Sequence, residues 1–167
     1  MTMFELKPLT KEALPAAVEK AQRYRLLNEP AEAESICLDV LHVDPGHQDA
    51  LITMLLSLTD QFQEDSSALP KAREVVPRLA GEYERAYYSG IICERRAKAQ
   101  VAHGAPGSDR VAYEWFREAM GWFQKAEGLR PHGNDDAILR WNTCARILMR
   151  NPQLAPPADE PVELPLE

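Results

Sequence analysis

Apolar residues recur through most of this chain at the three- and four-residue intervals of an amphipathic helix, and about seven helices account for the pattern. The first spans about 12–28, with Leu14, Val18, Ala21 and Tyr24 on one stripe. The second follows Asn28-Glu29-Pro30, a cap with a first-turn proline, and reaches about Val43. The third covers about 47–62 and buries Leu51, Met54, Leu55 and Leu58. Ser66 or Ser67 caps a fourth, with Pro70 in its first turn. Pro77 does not fit a helix interior, because it lacks an amide hydrogen and collides with the preceding turn. The fourth helix therefore stops near Val76 or kinks there. A fifth runs to about Ala102, a sixth from Ser108 to about Leu129, and a seventh from Asn134 to about Arg150. Asp135 and Asp136 suit the positive start of the last. Asp44-Pro45-Gly46, Gly104-Ala105-Pro106-Gly107 and Pro131-His132-Gly133-Asn134 break the chain between helices. No strand-like alternation with hairpin turns separates them.

Two of these helices carry one pattern. Ala33, Cys37, Val40 and Pro45 have the same spacing as Ala119, Phe123, Ala126 and Pro131. A small residue lets two helices approach, a bulky one fills the groove a turn later, and a proline closes the unit. Ala72, Val76 and Leu79 form a weaker middle copy that ends on Glu84 instead of proline. Over about residues 12–150 the chain resembles the tetratricopeptide repeat (TPR) family. The resemblance implies an all-α, antiparallel helix-pair, right-handed solenoid of three irregular pairs and a closing helix. It also implies a non-catalytic adaptor or scaffold that holds a peptide or protein segment in a helical groove. The intervals between copies exceed the roughly 34 residues of a regular repeat. The excess falls in Thr59–Ser67 and around His103–Arg110. The family's aromatic and small positions are thinly kept: Tyr24 in the first copy, and Ser89-Gly90 followed by Cys93 in the third.

First helices of such pairs line the groove, which nominates Arg25, Ile52, Leu56, Tyr87, Ile91, Arg95, Asn142 and Arg146 as partner-binding residues. Some family members clamp a terminal carboxylate there. Arg25, Arg95, Asn142 and Arg146 would be the candidates, but Ile52 and Leu56 stand where that clamp needs polar groups, so it is not carried over. Glu94-Arg95-Arg96-Ala97-Lys98 is the densest charge run. It reads as a solvated helix face or as part of a groove for acidic side chains.

The sixth helix is apolar over a wide arc. Ala112, Phe116, Ala119, Phe123 and Ala126 form one stripe, and Trp115, Trp122 and Leu129 a second. Either neighbouring helices cover both, with Trp141 and Ile138 of the seventh supplying cover, or Trp115 and Trp122 anchor a partner or homo-oligomer contact. The second case gives an alternative function, a self-associating structural protein. A helical enzyme using Glu94, His103 or the tyrosines is a third. No nucleophile elbow, glycine-rich phosphate loop or HExxH argues for catalysis, and no cofactor is implied.

Composition narrows the classes further. A net charge of −7 without a concentrated basic patch argues against nucleic-acid or anionic-membrane partners. Cys37, Cys93 and Cys144 are dispersed on expected helices, which suits a reducing compartment and gives no metal or disulfide motif. His42, Asp44, His47 and Asp49 straddle a turn and form a polar corner rather than a metal site. Residues 1–11 read as an N-terminal extension without a signal-peptide core, and no apolar run is long enough for a membrane helix, so a cytoplasmic protein is expected. Residues 151–167 combine Pro152, Pro156, Pro157, Pro161 and Pro165 with Asp159, Glu160, Glu163 and Glu167, and hold no lysine or arginine. That composition predicts a disordered, flexible acidic tail, either solvated or a short ligand for a partner or for the chain's own helices.

Overall fold

The computed structural model describes residues 3–155. Among them there are seven α-helices and no strand. They are α1 (Leu14–Leu26), α2 (Pro30–Val43), α3 (Gln48–Thr59), α4 (Ala68–Val75), α5 (Glu82–His103), α6 (Ser108–Leu129) and α7 (Asp136–Arg150). Short 3-10 turns occur at Lys11–Ala13, Val76–Arg78 and Pro152–Leu154. No described helix is long and apolar enough to cross a membrane.

Neighbours in sequence pack as neighbours in space: α1 on α2, α2 on α3, α3 on α4, α5 on α6 and α6 on α7. Alternate helices also meet, α1 with α3 and α3 with α5. The small-bulky-apolar pattern lies inside these packings. Ala33, Cys37 and Val40 are fully buried, as are Ala119, Phe123 and Ala126. In the middle copy Ala72 and Leu79 are buried and Val76 half-buried. One hydrophobic cluster joins α1–α4 to one face of α5 through Leu14, Val40, Leu51, Leu55, Leu58, Leu79 and Ile92. A second joins α5 to α7 through Phe116, Phe123 and Cys144. Leu56 and Tyr88 touch both.

Several boundaries differ from expectation for identifiable reasons. Asn28 does not cap α2. It ends α1 with φ 61°, the left-handed conformation. Its N–H donates to the Arg25 carbonyl at 3.0 Å, and the Glu29 N–H to the Tyr24 carbonyl at 2.9 Å, which is a Schellman cap. His47, in the expected polar corner between α2 and α3, caps α3: its ring Nδ1 accepts the Ala50 N–H at 3.2 Å. Helix α4 stops at Val75, and Pro77 sits in the following 3-10 turn. Gly107, in the left-handed region, precedes α6, so Ser108 is the first helical residue rather than the cap. Asp135 stands at the cap position of α7, and the Asn134 side chain accepts the Asp136 N–H.

The first residues of the expected tail are ordered, with Pro152–Leu154 in a 3-10 turn. Asn151 donates to the Ile147 carbonyl at 2.7 Å. Leu154 is buried in the α5–α7 cluster, one side chain overriding a polar, proline-rich context. The remainder of the expected tail, 156–167, lies outside the described residues.

Candidate peptide-binding cleft

Helix α5 is touched on several sides, and its charge run does different things on each. Glu94 is 0% exposed, so the run is not a solvated face. Its Oε2 receives Arg140 of α7 and Lys98 one turn on, the latter at 3.4 Å. Its Oε1 lies 3.4 Å from the Cys144 sulfur. Burial first, then the Glu94 charge, pushes the Cys144 thiol up to about 12.

Arg95 turns the other way, to Asp60 just past the end of α3, with Nη1 3.7 Å from Oδ1. Asp60 also holds Arg25 near the end of α1. Arg25 Nη2 donates to Oδ1 at 3.3 Å, and Nε lies 2.8 Å from Oδ2 as an ion-pair contact rather than an aligned hydrogen bond. Along α1, α3, α5 and α7 four cations therefore serve two carboxylates, Asp60 and Glu94. None of the four is sealed off: Arg25 keeps 22% of its side-chain surface, Arg95 35%, Arg140 28% and Lys98 40%. The surplus of positive charge faces a cleft of about 530 Å³. Arg25, Asp60, Arg95 and Lys98 supply its charges, and Leu26, Phe62 and Ala99 its apolar wall. Leu26 is 83% exposed there.

Phe62, Gln63 and Ala99 also bound an adjoining cleft of about 590 Å³. Its walls carry Arg96, Gln100 and His103 on α5 and Glu64, Asp65 and Ser66 on the α3–α4 turn. Opposite charges are nearly matched there. His103 thus lines a cleft whose walls include neither Glu94 nor a tyrosine, and the structure does not bring those three together.

The other expected groove residues divide. Arg25 and Arg95 converge on Asp60 as described. Ile52 and Leu56 are half-buried against the α1–α4 core. Ile91 is buried in the α5–α7 cluster and is a core residue, because α6 covers its side of α5. Tyr87 is half-buried, stacked on Tyr83 at 5.7 Å and edge-on to Tyr88 at 5.0 Å. Burial raises all three phenols above their ordinary value, Tyr88 to about 12. Asn142 lines a different cleft, of about 340 Å³ between α6 and α7, with Phe123, Glu127, Ile138 and Trp141. Arg146 is exposed on α7.

Trp115 and Trp122 are half-buried. The α7 cover expected for them is not what meets Trp115: Arg73 of α4 lies over its ring at 5.4 Å. Lys125 lies over Trp122 at the same distance, and Trp122 borders a cleft with Val76 and Pro77. Trp115 therefore faces α4, Trp122 packs against Ala86 of α5 and Ala137 of α7 while bordering that cleft, and Trp141 and Ile138 face the Phe123 side.

Sequence reasoning missed Asp60, which sat in a polar stretch read as an insertion. The available signal was its place directly after the apolar stripe of α3, where an acid can reach the helices on either side. No family model, curated protein or solved structure matches this chain.

Proposed function

We propose that this chain is a non-catalytic interaction protein, built as an irregular TPR-like array, that binds a peptide segment across α1, α3 and α5. The observation that carries this reading is the cation surplus around Asp60 and Glu94, beside the exposed Leu26 side chain. Guanidiniums already held by a carboxylate are preorganised, and a second carboxylate can join them at little entropic cost. The favoured ligand is an extended segment that alternates acidic and apolar residues. Its carboxylates would meet Arg25, Arg95 and Lys98, and an apolar side chain would meet Leu26. Local potential, not the net charge of −7, decides this attraction at short range.

The test is fluorescence polarisation of the full chain against synthetic peptides of graded acidity, up to millimolar concentration. Acidic-apolar peptides are expected to bind, to weaken with salt, and to lose affinity on Arg25→Glu or Arg95→Glu. Affinity untouched by both substitutions would remove the cleft from consideration.

A further inference from the structure

We propose that the outer face of α7 is a self-association surface, on which a second copy of this chain lays its own α7 antiparallel about a two-fold axis. Helix α7 is the last described α-helix. It packs on α6, with Arg140 reaching Glu94 of α5. Its buried residues, Ala137 and Cys144, mark the covered side. Asp135, Leu139, Asn142, Arg146 and Met149 recur at intervals of four and three, so they share one stripe. With about 3.6 residues per turn, that stripe lies opposite Ala137 and Cys144. Exposure agrees: Leu139 is 61% and Met149 72% exposed, Asp135 and Arg146 are exposed, and Asn142 is half-buried. Among the large apolar side chains of the described α-helices, only Leu26 is more exposed than these two.

Charge names the occupant. The stripe is acidic where it starts, at Asp135, and basic further on, at Arg146. A helix laid along it in the opposite direction matches it only by carrying the same charges in the same order, and α7 of a second copy is such a helix. Pairing about an axis between Arg140 and Trp141 sets Asp135 of each copy beside Arg146 of the other, and Leu139 beside Asn142. Met149 then reaches the exposed Pro131–His132 turn. The dipole of α7 accounts for an acid at its start but not for Arg146, which stands short of the last turn, where the base is Arg150. Arg146 enters no ion pair among the described residues. Asp135 meets Arg130 of its own chain at 3.3 Å, yet keeps 66% of its side-chain surface for a second cation. The tryptophan face of α6 is a poorer candidate, because Arg73 and Lys125 already lie over those rings.

A single short stripe gives a small, reversible interface, and its two-fold symmetry stops assembly at two copies. This goes beyond the peptide-binding reading and does not depend on it.

The experiment is sedimentation equilibrium of the full chain up to ~1 mM, where a weak contact is populated. A monomer–dimer equilibrium without larger species is expected. Leu139→Glu places a charge in the stripe and should leave a monomer throughout. Asp135→Arg and Arg146→Asp each set like charges opposite one another at both ends of the pair, and each alone should weaken the dimer by about tenfold or more. An equal mixture of these two variants should dimerise as strongly as the native chain, because every contact in the mixed pair joins opposite charges. All three positions are exposed, so thermal melts of the variants should match that of the native chain. A native chain that stays monomeric at the highest concentration overturns the proposal. A dimer that survives Leu139→Glu also overturns it, by placing the contact on another face. So does a mixture no stronger than either variant alone, which rules out antiparallel two-fold pairing.

Discussion

A methyl group on Gly90 of α5 would lie 2.6 Å from one ring carbon of Phe123 on α6 and 2.7 Å from another. Phe123 is fully buried, so its ring has nowhere to retreat. The most extensive helix pairing in the fold, α5 on α6, is thus set at one point by an absent side chain. Gly90→Ala should destabilise the chain by about 1–3 kcal/mol through overpacking, although alanine at an ordinary helical site gains about 1 kcal/mol over glycine. With Phe123→Leu behind it the same change should cost less, because the ring edge is gone. Denaturant unfolding of the four proteins of this cycle gives the coupling. Additive costs would show that the two residues do not set the approach.

Glu94 is the one fully buried charge in the described core, with Arg140 and Lys98 on the same oxygen. Removing one member of a buried ion pair leaves the others uncompensated, typically at about 3–5 kcal/mol. Arg140 and Lys98 both retain solvent contact, which lowers the figure. Glu94→Gln should therefore cost about 2–3 kcal/mol, and chemical denaturation measures it. A loss under about 0.5 kcal/mol, in the range of a surface pair, would mean that α7 is not held to α5 by this carboxylate.

These two sites show what periodicity carries and what it conceals. The stripe Ala112, Phe116, Ala119, Phe123 and Ala126 was legible because each member faces the same neighbours, and all five are buried. Gly90 was legible as a small position from its place in the resemblance, though not as the seat of one ring. Glu94 was illegible. A charge run looks like a solvated face, and only α7, recruited from far along the chain, turns Glu94 into a core residue. Leu154 was concealed the same way, as a lone apolar residue among prolines that finds a vacancy beside α6. The Arg25–Arg95 part of the cleft was nominated from sequence. Asp60, which brings them together, was not, since the pairing is between helices and leaves no mark on any one of them.

Cys37, Cys93 and Cys144 all have thiols pushed from about 9 to about 12, in each case chiefly by burial. A group whose value is raised on folding contributes stability that is complete below its unfolded value and lost as pH rises toward its folded one. Stability should therefore hold to about pH 9 and decline between pH 9 and 12. The raised phenols Tyr83, Tyr87 and Tyr88 reinforce the decline above pH 10. Guanidinium midpoints at pH 7, 9 and 10.5 follow it. Cys37→Ala, whose thiol is remote from the Glu94 network, should flatten the slope, and an unchanged slope would contradict the assignment.

Asn28 holds φ 61° at the end of α1, where a β-carbon is strained by about 1 kcal/mol or more. Asparagine tolerates this conformation better than most residues, and glycine better still. Asn28→Ala should lower stability by about 1 kcal/mol, whereas Asn28→Gly should leave it unchanged or slightly higher. Thermal melts distinguish the two. Equal losses would indicate that the side chain, not the backbone, holds this turn.

Asp60 separates stability from binding. It is the shared partner of Arg25 and Arg95, and all three are partly open to solvent. Asp60→Asn keeps the shape and removes the charge, so stability should fall by only about 1 kcal/mol, as for a partly exposed network. The cleft, however, loses its own competing carboxylate and leaves two guanidiniums for an incoming one. Affinity for acidic-apolar peptides should rise by about 1 kcal/mol, roughly fivefold, at low salt, and the gain should shrink as salt is added. A purely structural role for Asp60 would lower stability and affinity together. Opposite signs in the melt and in the titration are what an anion-binding cleft requires, and a parallel loss would assign the cluster to holding α1, α3 and α5 in register.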